Sequence, residues 1–494
     1  MLTLLTLVLV VVIVCTFALA GETRPMLYAS IILTVCNDII FVPMGEVGNS
    51  AFSLLAKSWR EEFIVAGFLS YLLWRGRGRE GVALDAVTTI VLVAVALVTV
   101  IGLAIGARSS GPFVAFTIAR SYVLPLLLPI SLYISGAFAR DRNNVAFWIL
   151  LIIGAFMSIY AAYVVSNFTG RITDLWYYDF VAGEKVSNHT AQRLIAYQFI
   201  RDGNLRATGF LISAVDYSIF SGIIAALALS GALYFTRPLK RIAALLLLMI
   251  CIPAIELSQT RAGYGVIGLA TLAGFSFRYL RIRWSYAYPI LMIGLVAATL
   301  LAVQRSPGSF DSSLAGRPGQ LFDAIGSFRP LGWGFGTLEN NGPTYKDSLY
   351  LSALGTFGVF FVGYVGPLVL VHKSVAGAYN RISRFDDAQG YVIGAFSAFS
   401  AMWYIFGFHY TLGNVGFYVL LLMSYAAVAQ AGSAQRRSAE SDLQYPAGPE
   451  GFRNDGFAKY QSAGGPLPKA TNGFGDNRQP DANEGVERDS SSHT

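Results

Sequence analysis

About thirteen apolar runs, most of them 18 residues or longer, decide what this chain can become. They lie near 2–20, 27–44, 58–74, 83–106, 113–138, 145–166, 208–234, 239–257, 261–280, 285–303, 347–372, 388–408 and 413–431. About 20 apolar residues cross the hydrocarbon core as a helix, at roughly 1.5 Å per residue. Inside lipid every backbone polar group must be satisfied within the protein, so a span is a helix or a closed barrel. Runs of this length without alternation predict helices. The expected fold is therefore all-α: a polytopic integral membrane protein with about 12–13 transmembrane helices. The stretch 47–57 reads as part of a broken or re-entrant helix, which leaves the count open by one.

Composition excludes a soluble domain, since 54% of the 494 residues are hydrophobic and only 13% are charged. The net charge of +7 is not spread evenly. Basic residues crowd short loops at 75–79, 140–142, 237–241, 278–283 and 373–384. Such loops stay in the cytoplasm. Alternating spans then place the two long loops, 167–207 and 304–346, outside. From Gly432 to Thr494 the chain is polar and rich in Gly, Pro and Ser, with seven Lys/Arg and nine Asp/Glu. It cannot bury enough apolar surface to fold alone. The expected organisation is a membrane domain over 1–431 and a disordered cytoplasmic tail over 432–494. The basic excess is a topology signal, and no nucleic-acid partner is expected. Cys15, Cys36 and Cys251 all fall in apolar runs, and no two of the four histidines (His189, His372, His409 and His493) have ligand spacing. No metal and no cofactor is expected.

Several arginines sit away from the basic loops. Arg120 lies inside a span, where a charge is costly and faces a cavity or a partner. Arg60 is near the end of its run, next to Glu61 and Glu62. Arg206 and Arg261 stand at outer boundaries, and Arg317 and Arg329 lie on the second long loop. A guanidinium stays charged and binds phosphate through two parallel hydrogen bonds. Arginines converging on the outer face would suit an anionic lipid diphosphate. The plain alternative is that each one pairs with a nearby carboxylate or reaches for the interface. The loop from Arg317 to Tyr350 is rich in glycine and aromatic residues, including Pro330-Leu331-Gly332-Trp333-Gly334-Phe335-Gly336. Trp176, Tyr177, Tyr178, Trp333, Phe335 and Tyr345 would face sugars or anchor at the bilayer surface.

Three segments together resemble the O-antigen ligase and polysaccharide polymerase family of bacterial envelopes. They are Leu205-Arg206-Ala207-Thr208-Gly209-Phe210 with Asp216, then Leu257-Ser258-Gln259-Thr260-Arg261-Ala262-Gly263-Tyr264, then Gly316-Arg317, the Pro330–Gly336 stretch and Asp347-Ser348-Leu349-Tyr350-Leu351 with Gly355 and Gly358. The resemblance covers roughly 205–365. It implies a C-type glycosyltransferase-like architecture with two long outer loops in the bacterial inner membrane. The implied reaction is metal-independent, inverting glycosyl transfer from an undecaprenyl-diphosphate-linked oligosaccharide to a sugar hydroxyl. Asp347, Arg261 and Arg317 would be catalytic, with Asp347 either the base or a helix N-cap. Arg206, Arg120, Arg60, Arg329, Asp216, Trp333 and Ser258 would bind substrate. Ligases of this family commonly carry His-Asn where this chain has Asp347-Ser348. That departure favours a polymerase of exopolysaccharide, capsule or O-antigen. An O-antigen ligase or a protein O-oligosaccharyltransferase is the alternative, and a lipid-linked oligosaccharide flippase a weaker one. A flippase and a chain-length regulator would be further partners.

Overall fold

The structure, a computed structural model, describes residues 2–41, 57–75, 85–141, 144–171, 175, 199–201, 204–280, 286–306, 314, 316–337, 348–382, 387–409 and 415–444. Each apolar run becomes helical. In chain order the helices are α1 (Leu2–Leu19), α2 (Arg24–Val35), α3 (Asn37–Phe41), α4 (Trp59–Arg75), α5 (Ala86–Ser110), α6 (Pro112–Ile134), α7 (Ala137–Arg140) and α8 (Val145–Ser166). They continue with α9 (Ala214–Tyr234), α10 (Pro238–Leu257), α11 (Arg261–Arg278), α12 (Ala287–Arg305), α13 (Arg317–Gly326), α14 (Leu349–Phe357), α15 (Val362–Tyr379), α16 (Ala388–Ile405) and α17 (Val415–Gln444). A 3₁₀ turn, Gly358–Phe361, joins α14 to α15. Among the described residues the one departure from all-α is a small antiparallel hairpin, β1 (Ile200–Arg201) with β2 (Asn204–Leu205).

Among the described residues eight segments are long and apolar enough to cross a bilayer: α5, α6, α8, α9, α10, α12, α14–α15 as one stretch, and the Val415–Ser433 part of α17. The chain is a multi-pass membrane protein. Five further helices from the expected spans, α1, α2, α4, α11 and α16, are shorter or less apolar. The apolar part of α1, Leu5–Leu19, and the whole of α2 are short. α4 opens with Arg60, Glu61 and Glu62. α11 and α16 are rich in Gly, Ser and Thr.

That last feature places α16 in the middle. Nearly every one of its residues is buried. Helices in lipid gain nothing by hiding leucine from water, so close packing through small residues holds them together. α9 packs against α10, α11 and α16 in this way. A Cβ at Gly222 would meet the Gly263 carbonyl at 2.8 Å, and one at Gly263 would meet the Ser218 carbonyl at 2.6 Å. The outer helices instead carry a belt of exposed large apolar side chains, such as Phe113, Leu239, Leu272 and Ile290, which suits contact with lipid tails.

The chain divides into two compact units, Met1–Ala439 and Glu440–Thr494. α17 runs to Gln444, so helix continues past the expected boundary at 431. Of the two long loops, the hairpin and α13 are described. α13 is a short amphipathic helix, burying Pro318 and Ala324 and exposing Phe322 and Ile325. Residues 176–198, 338–347 and 445–494 lie outside the described residues, and with them fall Trp176, Tyr177, Tyr178, Tyr345 and Asp347.

Candidate functional site: an arginine-walled cavity

The first and second motifs meet because a tight turn joins them. α10 ends on Ser258, and Gln259 takes a left-handed backbone (φ 50°) before Thr260 leads into α11. The turn faces its carbonyls toward the hairpin. The Ala207 N–H donates to the Leu257 carbonyl at 2.9 Å. Arg206 Nε donates to the Ser258 carbonyl at 3.2 Å, and its Nη2 to Thr260 Oγ1 at 2.6 Å. Arg201 Nη1 donates to the Gln259 carbonyl at 3.1 Å. Two guanidiniums are thus fixed by one turn. Ser258 contributes through its backbone, since its hydroxyl is spent on the Ile255 carbonyl at 2.6 Å.

Arg261 is held by a second set of bonds. Ser218 of α9 donates its hydroxyl to the Thr260 carbonyl at 3.1 Å and accepts the Gly263 N–H at 2.9 Å. This pins the first turn of α11, with Arg261 at its start, onto α9. The opposite wall comes from the end of α16. There the Leu349 N–H and the Ser348 hydroxyl both donate to the Phe406 carbonyl, at 2.9 and 3.2 Å. Tyr350 Oη donates to the Trp403 carbonyl. The third motif is therefore stitched to the last turn of α16. Ser348 is the N-cap of α14, its Oγ accepting the Leu351 N–H, so the capping role is filled without Asp347.

Between these walls lies a cavity of about 480 Å³. Arg201, Arg206, Arg261 and Arg317 line it, together with Thr260, Tyr404, Phe408 and His409. Three of the predicted arginines, drawn from three separate motifs, share one space. Among the described lining residues there is no Asp or Glu. The start of α11 adds the partial positive charge of a helix N-terminus. The arrangement is suited to an anion with several oxygens, and the volume is that of a small-molecule site.

The other predicted residues go elsewhere. Arg120 Nε donates to Glu61 Oε1 at 2.6 Å. Arg60 lies between the rings of Trp59 and Tyr418, 4.9 and 4.8 Å from their centroids, and donates to Asn37 Oδ1 at 3.1 Å. Asp216 stands in the first turn of α9, next to Asp38, whose carboxylate accepts the Ile212 N–H at 3.1 Å. Arg329 stacks on Trp333 at 3.3 Å, so one face of that ring is covered. Phe335 is buried against Tyr122 and Phe357. The glycines around it have positive φ and let this segment lie directly on α5, with the Phe335 N–H donating to the Gly102 carbonyl at 3.1 Å. The glycine-rich stretch is a structural wedge between α5 and α14.

Sequence reading passed over Arg201, Tyr404 and His409. Arg201 was visible only through the hairpin, which puts Ile200 opposite Leu205 and so brings Arg201 beside Arg206. His409 lies one residue past an apolar run and carried no motif. No protein-family model, no curated protein and no solved structure matches the chain.

Proposed function

We propose that the chain is a polysaccharide polymerase, an inverting glycosyltransferase that joins lipid-linked oligosaccharide repeat units. The observation that carries this reading is the cavity shared by Arg206, Arg261 and Arg317, one from each of the three motifs that resemble the O-antigen ligase and polymerase family. In the reaction an acceptor sugar hydroxyl attacks the anomeric carbon of the donor. The bond from that carbon to the diphosphate oxygen breaks, and its electron pair leaves with undecaprenyl diphosphate. Charge grows on the leaving oxygen, and fixed guanidiniums stabilise it most where it develops. The hydroxyl proton passes to a base, for which Asp347 is the sequence candidate. The cavity face is the outer face of the bacterial inner membrane in this reading, and the tail is cytoplasmic. The flippase alternative lacks the support of a site built at one end of the bundle.

A deletion strain tests the reading. Single repeat units left on lipid are expected. Long chains stranded on lipid would instead make the protein a ligase, using the same donor and the same arginines. Normal polymer in the deletion strain would remove both.

A further inference from the structure

Among the described residues on the cavity wall, His409 is the one that carries an imidazole, a side chain with a nitrogen able to accept a proton. The other polar liners are four guanidiniums, a threonine hydroxyl and a phenol. Guanidiniums cannot act as bases, and hydroxyls are far too weak unless something else first removes their proton. His409 is half-buried and stands on a rigid perch. Its own N–H donates to the Ile405 carbonyl at 2.9 Å, within a closing turn in which Phe406, Gly407 and Phe408 donate to Met402, Tyr404 and Ile405. The same turn accepts the hydrogen bonds from Ser348 and Leu349, so it is braced on its far side by the start of α14. A proton acceptor needs a fixed place on the site and cations nearby to hold the departing anion.

We propose that His409 accepts the proton of the attacking sugar hydroxyl. The inference rests on the transfer reaction proposed above and names a residue outside the three motifs. As the new carbon–oxygen bond forms, the hydroxyl proton moves to an imidazole nitrogen, and the carbon–oxygen bond to the diphosphate breaks. Arg261 and Arg317 hold the diphosphate, while Arg206 and Arg201 are fixed behind them by the 258–260 turn. The imidazolium then gives its proton to water and is ready for the next unit. The groups that face His409 across the cavity are Arg201, Arg206, Arg261, Arg317 and Tyr404.

The test uses the full chain in lipid nanodiscs, with two readouts. One is polymer formation from undecaprenyl-diphosphate-linked repeat units collected in a deletion strain. The other is binding of undecaprenyl diphosphate alone. His409→Gln is expected to bind undecaprenyl diphosphate nearly as wild type does. It should form polymer about 10² to 10⁴ times more slowly. The wild-type rate should fall on acidification as a proton-accepting nitrogen is lost, and the Gln variant should lose that limb. Added imidazole should restore part of the rate of His409→Ala, which separates lost chemistry from lost folding. A Gln variant within tenfold of wild type with its acid limb intact overturns the proposal. So does a variant that loses binding and rate together and gains nothing from imidazole. If Arg261→Ala and Arg317→Ala also bind undecaprenyl diphosphate as wild type does, the transfer reading itself falls, and the histidine with it.

Discussion

Two groups of arginines in this protein are handled in opposite ways. Arg60 and Arg120, on α4 and α6, are consumed by the fold. One lies between two aromatic rings and bonds an amide, and the other pairs with Glu61. Arg201, Arg206, Arg261 and Arg317 stand together on one cavity wall. Bringing cations together costs free energy through mutual repulsion, and a membrane protein tolerates it chiefly where a ligand supplies the missing negative charge. The first arrangement says structure and the second says ligand, although both consist of arginines. Residue type alone does not distinguish them. What distinguishes them is their setting: the second group shares one cavity lining with no Asp or Glu among its described residues.

The largest effect expected from this contrast is on turnover. Arg261→Ala and Arg317→Ala should each lower polymer formation by about 10² to 10³, the typical cost of removing one donor from a developing anion. Arg261→Lys and Arg317→Lys should recover little, because an ammonium cannot reproduce the planar fork. Arg60→Met should keep most of its activity per folded molecule. Full activity in either Lys variant, or an Arg60 variant as dead as Arg261→Ala, would erase the distinction between the groups.

How far this was legible in the sequence differs by region. The thirteen apolar runs announced every long helix, because hydrophobicity over 18 residues is a strong local signal. Which of them are long and apolar enough to cross a bilayer was less visible. Small, polar residues on α11 and α16 lower their hydropathy while enabling the packing that buries them. Arg206, Arg261 and Arg317 were readable as candidates from three motifs. Their meeting depended on tertiary bonds among the 258–260 turn, the hairpin and the end of α16. Arg60 and Arg120 were candidates by residue type that lie outside the cavity lining, and the adjacent Glu61 pointed to the pairing of Arg120. His409 offered no local signal, since its position follows from where α16 ends. Trp333 and Phe335 looked like a sugar platform because exposed and buried aromatics read alike in one dimension.

The next effects are on stability and should leave the chemistry intact. At Gly334 φ is 74°, and an added Cβ would collide with the backbone of Gly106 on α5. Gly334→Ala should therefore destabilise the folded protein by roughly 1–3 kcal/mol for the backbone strain alone, with a further penalty for the overlap. It should reduce the yield of folded protein in size-exclusion chromatography rather than the rate per folded molecule. Arg120→Met sharpens the contrast from the other side. Glu61 Oε2 is already buried without a hydrogen-bond partner, and Oε1 would then lose its cation. The pair is partly exposed, so the expected cost lies between the ~1 kcal/mol of a surface pair and the ~3–5 kcal/mol of a buried one. Adding Glu61→Gln should recover much of that loss in a thermal melt. A double variant no more stable than the single would mean that Arg120 is not held by Glu61 in the way its geometry suggests.

The smallest effect comes from the opposite end of the same helices. Lys240 Nζ, in the first turn of α10, donates to Asp387 Oδ2 at 2.6 Å, and the Thr236 N–H donates to Oδ1 at 2.8 Å. Partial burial pushes the Asp387 carboxyl up, but the hydrogen bonds from Lys240 and Thr236 outweigh it and hold it at about 2. A carboxyl held below its unfolded value of about 3.9 stabilises the fold fully above that value. The contribution then fades as the pH falls toward about 2. Wild type should lose thermal stability more steeply than Asp387→Asn over that acid window, and the two curves should run parallel above about pH 5. At neutral pH the Asn variant should cost about 1 kcal/mol, as a largely screened pair does, and should form polymer within twofold of wild type. This pair is a charge fully matched by the fold, like Arg120 with Glu61 but remote from the cavity. A fall in turnover comparable to that of Arg261→Ala would mean that matched charges at one end of α10 and α16 govern chemistry at the other. The separation between arginines kept for structure and arginines kept for a ligand would then no longer hold.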